Sequence, residues 1–180
     1  AKPLHNVILD YIQSNPSKSI HLIACSNGCR IASWIECELR NIDVNIKLTC
    51  IAGAFGGSIL IDKFNIPLSL ILTNDILMDL STDSDTNNKL KDKINLELKF
   101  GTRFYEFYAT VNDWYIPNFN DCCPVIKQNN LNNNFKVVYH DLKYGYDHVS
   151  LGWYLSYEIV NNSIKWFIET NLTNSTNFLC

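Results

Sequence analysis

Long hydrophobic runs and an excess of positive charge are both missing from this sequence of 180 residues. No stretch approaches the roughly 18 consecutive apolar residues that a membrane-spanning helix needs. The 15 lysines and arginines are outnumbered by 18 aspartates and glutamates, which gives a net charge of −3. Because nucleic-acid binding requires a basic surface, this balance argues against nucleic acid as a partner.

The cysteines, seven in number, lack the regular spacing of a disulfide framework or a metal site. Their count is odd, and no Cys-x-x-Cys pair occurs. Cys25, Cys37 and Cys50 lie in apolar stretches, where buried free thiols are common. Cys122 and Cys123 are adjacent and poorly placed to pair with each other. We therefore expect most of these thiols to be reduced.

Unpaired thiols favour a cytoplasmic location, because disulfides form mainly in oxidising compartments. The first residues agree, since Lys2-Pro3-Leu4-His5 leads into an amphipathic pattern and not into the apolar block of a signal peptide. Three Asn-x-Ser/Thr triplets leave secretion open as the alternative. These triplets begin at Asn161, Asn171 and Asn174.

Apolar residues recur with the periods of alternating strands and helices. Short apolar runs predict β-strands at residues 20–24, 46–52, 104–110 and 135–139. Amphipathic patterns predict helices near residues 4–12 and at 27–40, 89–99 and 151–171. This alternation predicts an α/β fold with a mostly parallel sheet flanked by helices. We expect a single domain over residues 1–172 and a tail over 173–180.

The order of these elements also predicts where a functional site lies. Residues 20–24 form a brief, mainly apolar run, which is typical of a strand buried on both faces. In parallel sheets, ligands bind at the carboxyl ends of the strands. The loops that follow the four predicted strands are therefore expected to share one rim and to hold the chemistry.

The first of these loops contains Ala24-Cys25-Ser26-Asn27-Gly28 between a strand and a helix. A nucleophile elbow is a strained turn of this kind, with small residues two positions before and after the nucleophile. The helix N-terminus then favours an oxyanion, and the N–H of Asn27 is the expected donor. The sequence therefore predicts Ser26 as a nucleophile. The alternative is that Ser26 only caps the helix.

Two further loops carry an acid and a base. Asp113 lies just past the third strand, with Asp121 as a second choice, although an Asx turn would equally explain Asp113. His148 lies on a glycine-containing loop before the last helix, where a general base has reach and freedom to move. His140 is the second choice for the base. A surface histidine is the alternative interpretation of His148.

Together these residues predict a mechanism. A serine is a weak nucleophile unless a base lies within hydrogen-bonding distance. His148 would accept the Ser26 proton, and Asp113 would orient His148 and stabilise its charged form. A metal site formed by Asp141, Asp147 and His148 has little support, and we expect no cofactor.

Three segments resemble motifs of the α/β-hydrolase superfamily, and within it those of bacterial-type lipases and esterases. Residues 20–31 resemble the elbow often written GHSxGG, with Ala24-Cys25 in place of Gly-His and Cys29 in place of the last Gly. Residues 113–117 match the DxxVP motif around the family acid, and residues 145–149 match the loop with the family histidine. The resemblance implies a triad in the chain order Ser, acid, His.

Two weaker likenesses extend the resemblance, which runs from about residue 3 to residue 170. Residues 51–58 resemble a lipase strand that ends in a Pro-His-x-Gly-Ser/Thr loop, and residues 78–84 resemble the DLxxxS stretch of lipase lids. The resemblance implies an α/β-hydrolase fold. It is also consistent with residues 58–100 forming a lid over an acyl pocket. The alternative is that these residues pack in the core.

The resemblance is incomplete ahead of Ser26. Family members place several strands before the elbow strand, and a loop among them supplies the second oxyanion N–H. Only about 20 residues precede the elbow here, without a His-Gly-type loop. We expect an N-terminal segment or a second chain to complete the fold. Since one missing oxyanion donor costs roughly 10²–10³ in rate, we expect weak activity from this chain alone.

The sequence therefore predicts a serine hydrolase that cleaves carboxylic esters, with lipid or acyl esters as its small-molecule substrates. Thioester cleavage and acyl transfer use the same triad and remain alternatives. A non-catalytic binding module with the same fold is the alternative from another class. Contact with a membrane is left open by the sequence.

Overall fold

In the part of the chain that the structure describes, four parallel β-strands form one sheet. A computed structural model describes residues 2–16, 19–58, 79–82, 84–116, 118–127, 134–142 and 146–176. The strands are β1 (Ile20–Cys25), β2 (Ile46–Ile51), β3 (Arg103–Thr110) and β4 (Phe135–Leu142), and they lie side by side in that order. Every neighbouring pair is parallel. The predicted α/β class with a parallel sheet is confirmed.

Helices cover both faces of this sheet. The described helices are α1 (Lys2–Ser14), α2 (Asn27–Glu38), α3 (Asp85–Ile94), α4 (Phe119–Cys122) and α5 (Ser150–Thr176). On one face, α2 and α3 pack on Leu48 and Phe107 of the central strands, and α1 packs beside α2. On the other face, α5 packs on Ile51 and Tyr108. Alternate residues of β2 and β3 therefore point into two separate cores.

Strand β1 differs from its prediction as a strand buried on both faces. Ile23 is 52% exposed and Cys25 is also exposed. The reason is position, because β1 is an edge strand of the described sheet and pairs there with β2 alone. Strand β2 ends at Ile51, one residue early, because Ala52 adopts a positive φ of 48° that leaves the extended region.

Helices α3 and α5 differ most from their predicted boundaries. Helix α3 begins at Asp85 because the Ser84 side chain accepts a hydrogen bond from the N–H of Asn87, a capping contact that favours this start. It ends at Ile94, five residues before the predicted end. Helix α5 continues to Thr176, into the predicted tail.

The apolar pattern of α5 correctly indicates which residues are buried only in the first part of the helix. Leu151, Leu155 and Ile159 are buried, whereas Ile164 and Ile168 are more than half exposed. No described helix combines the length and the apolar character needed to cross a bilayer. The apolar run 66–72, which belongs to the candidate lid over residues 58–100, lies outside the described residues.

A buried ionic cluster joins α2 to β3. The Glu36 carboxylate, which is fully buried, accepts hydrogen bonds from Arg103 Nε at 2.7 Å and from Arg40 Nη2 at 3.1 Å. The hydroxyl of Tyr105 donates to the same carboxylate. Because each buried charge has a partner, the cost of desolvation is offset.

Removing the charge of Glu36 is expected to destabilise the fold strongly. The substitution Glu36→Gln leaves two buried guanidinium groups without a counter-charge, and we expect the free energy of unfolding to fall by about 3–5 kcal/mol. Urea denaturation measures this. The matched control is Glu38→Gln, which removes an exposed ion pair with Lys93 and should cost no more than about 1 kcal/mol. Equal losses in both variants would contradict the assignment.

A second polar network links β1 and β2 to α5 on the opposite face. His21 contacts the hydroxyl of Ser163 through Nδ1 and that of Thr49, at 2.7 Å, through Nε2. Burial, together with the nearby charge of Lys47, lowers the pKa of His21 from 6.5 to about 4. The folded state therefore favours the neutral imidazole.

This shift predicts a pH dependence of stability. The pKa of His21 in the folded state lies below its value in the unfolded state. The contribution of neutral His21 to the stability of the fold is therefore complete above about pH 6.5 and is lost as the pH falls toward 4. We expect the urea midpoint of the wild-type protein to decrease over this interval and that of His21→Asn to decrease less. The variant His5→Asn, on α1, should follow the wild type, and a similar change in both variants would contradict the assignment.

Candidate active site

Ser26 occupies a strained turn between β1 and α2. Its φ of 53° and ψ of −128° are unusual for a residue with a side chain and typically cost about 1–3 kcal/mol. The backbone around it holds this conformation: Ser26 N–H donates to the Ile51 carbonyl at 2.9 Å, and Ala54 N–H donates to the Ser26 carbonyl at 3.3 Å. The Ser26 side chain makes no capping hydrogen bond, which contradicts the helix-cap alternative.

Small residues let α2 begin close to β1. A Cβ added to Gly28 would lie 3.9 Å from the Cβ of Ala24, an ordinary contact, so alanine would also fit at position 28. Cys29 lies directly beneath the turn, fully buried, and its thiol donates to the Ala24 carbonyl at 3.2 Å. The predicted need for small residues holds, although it does not require glycine.

The three side chains singled out in the sequence lie in one hydrogen-bonded row. His148 Nε2 is 3.0 Å from Ser26 Oγ, and His148 Nδ1 is 2.6 Å from Asp113 Oδ2. Asp113 is 1% exposed, and the His148 side chain is 14% exposed. The row thus runs from the turn at Ser26 to a buried carboxylate.

The carboxylate of Asp113 is held by its own loop. Its Oδ1 accepts hydrogen bonds from the backbone N–H groups of Tyr115 and Ile116, both at 2.9 Å. These bonds leave Oδ2 directed at His148. The Asx-turn interpretation of Asp113 is therefore also correct, because one oxygen shapes the loop while the other contacts the imidazole.

The loop that carries His148 is anchored on both sides. Asp147 Oδ1 accepts from the Ser150 N–H at 2.7 Å and thereby caps α5. These hydrogen bonds from Ser150 lower the pKa of Asp147. On the other side, the Thr110 hydroxyl donates to the Tyr146 carbonyl at 3.1 Å, which ties the loop to the end of β3.

Two supporting residues were missed by sequence reasoning. Thr110 ties the histidine loop in place, and the Tyr115 ring lies 5.0 Å from the His148 ring, centroid to centroid. Thr110 could have been noticed in the sequence because it is a polar residue at the end of a strand rich in aromatic residues. No local pattern indicated Tyr115, because its contact with His148 depends on how two distant loops meet.

The second-choice residues lie elsewhere. Asp121 packs on the loop after β2, where its carbonyl accepts from Gly56 N–H at 2.9 Å, and burial raises the pKa of its carboxyl group. His140 stacks on Tyr108, with 4.2 Å between ring centroids. Among the described residues, no three metal-ligating side chains lie together, and Asp147 instead serves as a helix cap.

This arrangement can transfer a proton. An imidazole with its hydrogen on Nδ1 donates to Asp113 and presents the Nε2 lone pair to the Ser26 hydroxyl. Asn27 is the first residue of α2, so its N–H has no acceptor within the helix and is available beside Ser26. The source of a second oxyanion donor stays a prediction.

No protein-family model matches this chain, and neither does any curated protein sequence. Among solved structures, the chain is similar to the phospholipase PlaB from Legionella pneumophila, with 17% identity over 59% of this chain and a TM-score of 0.41. It is also similar to the Bacillus licheniformis lipase BlEst2, with 14% identity over 82% of this chain and a TM-score of 0.49.

A monoacylglycerol lipase from Paleococcus ferrophilus is similar over 94% of this chain, with 11% identity and a TM-score of 0.48. The matches span 26% of the phospholipase, 65% of BlEst2 and 75% of the monoacylglycerol lipase, so this chain covers less than two thirds of the first two. At these identities and scores the similarity carries no argument about activity. The three structures are lipases or phospholipases, the group of proteins that the sequence motifs resemble.

The hydrogen-bonded row predicts the tautomer of His148. Asp113→Asn places an amide NH2 opposite Nδ1, so we expect the population with hydrogen on Nδ1 to decrease sharply. Nitrogen-15 NMR of labelled histidine measures the tautomer directly. Asp121→Asn is the matched control and should leave the His148 signals unchanged. Unaltered signals in Asp113→Asn would disprove the contact.

Proposed function

We propose that this protein is a serine hydrolase that cleaves carboxylic esters through an acyl-enzyme intermediate. The observation that supports this most strongly is the continuous row from Ser26 Oγ through His148 to Asp113 Oδ2, with distances of 3.0 and 2.6 Å. A nucleophile, a base within hydrogen-bonding distance and a group that orients the base are the three parts of such chemistry.

In the first step, Ser26 Oγ attacks the ester carbonyl carbon while His148 Nε2 accepts the serine proton. Asp113 stabilises the imidazolium that forms, and the Asn27 N–H stabilises the oxyanion. The bond between the carbonyl carbon and the alcohol oxygen then breaks. His148 gives its proton to the departing alcohol, and the acyl group stays on Ser26.

In the second step, a water molecule replaces the alcohol. His148 accepts a proton from the water while the water oxygen attacks the acyl carbon. The bond between this carbon and Ser26 Oγ then breaks, and His148 returns the proton to Ser26. The products are the carboxylic acid and the regenerated enzyme. Thioester cleavage and acyl transfer would follow the same steps with a different leaving group or acceptor.

The strain at Ser26 favours an enzyme over a binding module. A residue with φ of 53° and a buried carboxylate aimed at an imidazole both cost stability, and such strain clusters where a mechanism uses it. A binding module with this fold would need neither.

Apolar side chains on the neighbouring loops favour lipid or acyl esters as substrates. Val111 and Trp114 on the Asp113 loop are 58% and 80% exposed, and Val149, beside His148, is 64% exposed. Exposed apolar side chains clustered at a site are typical of surfaces that contact apolar ligands. We propose that they contact the acyl chain of the substrate.

A fluorophosphonate probe tests the proposal, since it reacts with activated serines. We expect the intact protein to be labelled at Ser26, Ser26→Ala to remain unlabelled, and Asp113→Asn to lose about 10⁴-fold in the rate of ester hydrolysis. The matched control is Ser163→Ala, because Ser163 also contacts a histidine but is buried against the sheet.

The control should be labelled at the wild-type rate. Mass spectrometry of the labelled peptide identifies the modified residue. If His148 carries its hydrogen on Nδ1 and Ser26 of the intact wild-type protein is still not labelled, the enzyme proposal is overturned and the binding module is favoured.

A further inference from the structure

A pocket of about 290 Å³ begins beside the residue that follows Ser26 and extends along α2. One wall is formed by α2 and the other by α3 and the residues before it. The side chains that matter for its chemistry are Asn27, Arg30, Trp34, Asp79, Thr86 and Leu90. The pocket therefore combines an apolar lining with a positive charge.

Arg30 is the unusual member of this lining. It is 6% exposed, and its Nη1 donates to Asn27 Oδ1 at 3.1 Å. Its buried Nε has no hydrogen-bond acceptor. The other two arginines of the sequence, Arg40 and Arg103, are both paired with the carboxylate of Glu36. Among the described residues, Arg30 is the arginine without a carboxylate partner within 4 Å.

A buried cation without a partner is costly unless something completes its environment. Burial lowers the pKa of Arg30 and the charge of Asp79 opposes that change, but a guanidinium remains protonated at neutral pH. Asp79 does not form an ion pair with it and instead accepts a hydrogen bond from the Thr86 hydroxyl at 2.9 Å. Within the described part of the chain, no carboxylate pairs with this guanidinium, and its charge and planar donors suit an anionic oxygen group.

Building on the hydrolase proposed above, we propose that Arg30 binds an anionic group of the ester substrate, a phosphate or a carboxylate. Asn27 links the two sites, because its N–H lies beside Ser26 and its side chain holds Arg30. Trp34 and Leu90 contact the apolar part that joins the anionic group to the ester. The substrate class is then an amphiphilic ester with a negative charge near the scissile bond.

Matched esters test this assignment and separate the two sources of charge. Mono-4-nitrophenyl glutarate carries a carboxylate, and 4-nitrophenyl pentanoate is its neutral counterpart. Dihexanoyl phosphatidate carries a phosphate, and dihexanoylglycerol is its neutral counterpart. We expect Arg30→Gln to lower kcat/KM for at least one of the two anionic esters by roughly tenfold or more, with less than a twofold change for its neutral counterpart.

A second variant, which is expected to change kcat/KM in the opposite direction, distinguishes charge recognition from a loss of structure. Asp79→Asn removes the nearby negative charge and keeps an acceptor for Thr86, so it should raise kcat/KM for the same anionic ester. Arg30→Lys keeps the charge and should retain part of the preference. A purely structural Arg30 would give equal losses for charged and neutral esters in Arg30→Gln, and that outcome would overturn the assignment.

The anion site can also be tested apart from catalysis. Calorimetric titration of the intact protein with inorganic phosphate and with glutarate should show binding of at least one anion in the wild type, with weaker binding in Arg30→Gln and tighter binding in Asp79→Asn. Loss of fluorophosphonate labelling at Ser26 with anion binding intact would remove the proposed hydrolysis and leave the site. Absence of both anion binding and charge preference would overturn the site itself.

Discussion

Parallel pairing of the four strands is the constraint on which the candidate site depends. In register, Cys25 lies beside Ile51, Ile51 beside Tyr108, and Tyr108 beside His140, so the strands reach the same edge of the sheet. The loops that leave this edge carry Ser26, Asp113 and His148, which are far apart in the chain. Parallel strands require a crossover between them, and each crossover here returns its loop to the same edge.

The loops at this edge are held by hydrogen bonds that leave the reactive atoms directed at one another. Asp113 uses Oδ1 for its own backbone and Oδ2 for His148. Backbone bonds around Ser26 keep a strained φ that points its hydroxyl toward the imidazole. In the proposed hydrolase, this fixed arrangement would lower the reorganisation that acyl transfer requires.

The buried arginines of this protein have two different environments. Glu36 neutralises Arg40 and Arg103 within the core, where the ion pairs join a helix to a strand. Arg30 lies on the same helix, one turn from Ser26, and lacks such a partner among the described residues. The contrast is the basis for the proposed anion site, since an unpaired buried charge is stable only if a ligand or solvent completes its environment.

The sequence by itself determined the alternation of strands and helices and the turn at Ser26, because hydrophobic period and small residues are local properties of the chain. It also indicated Asp113 and His148, since each follows a strand that the pattern identifies. The tertiary structure alone decided the exposure of Ile23 and the pairing of Arg103 with Glu36. These depend on which surfaces meet, and contacts between residues far apart in sequence leave no local signal in either segment.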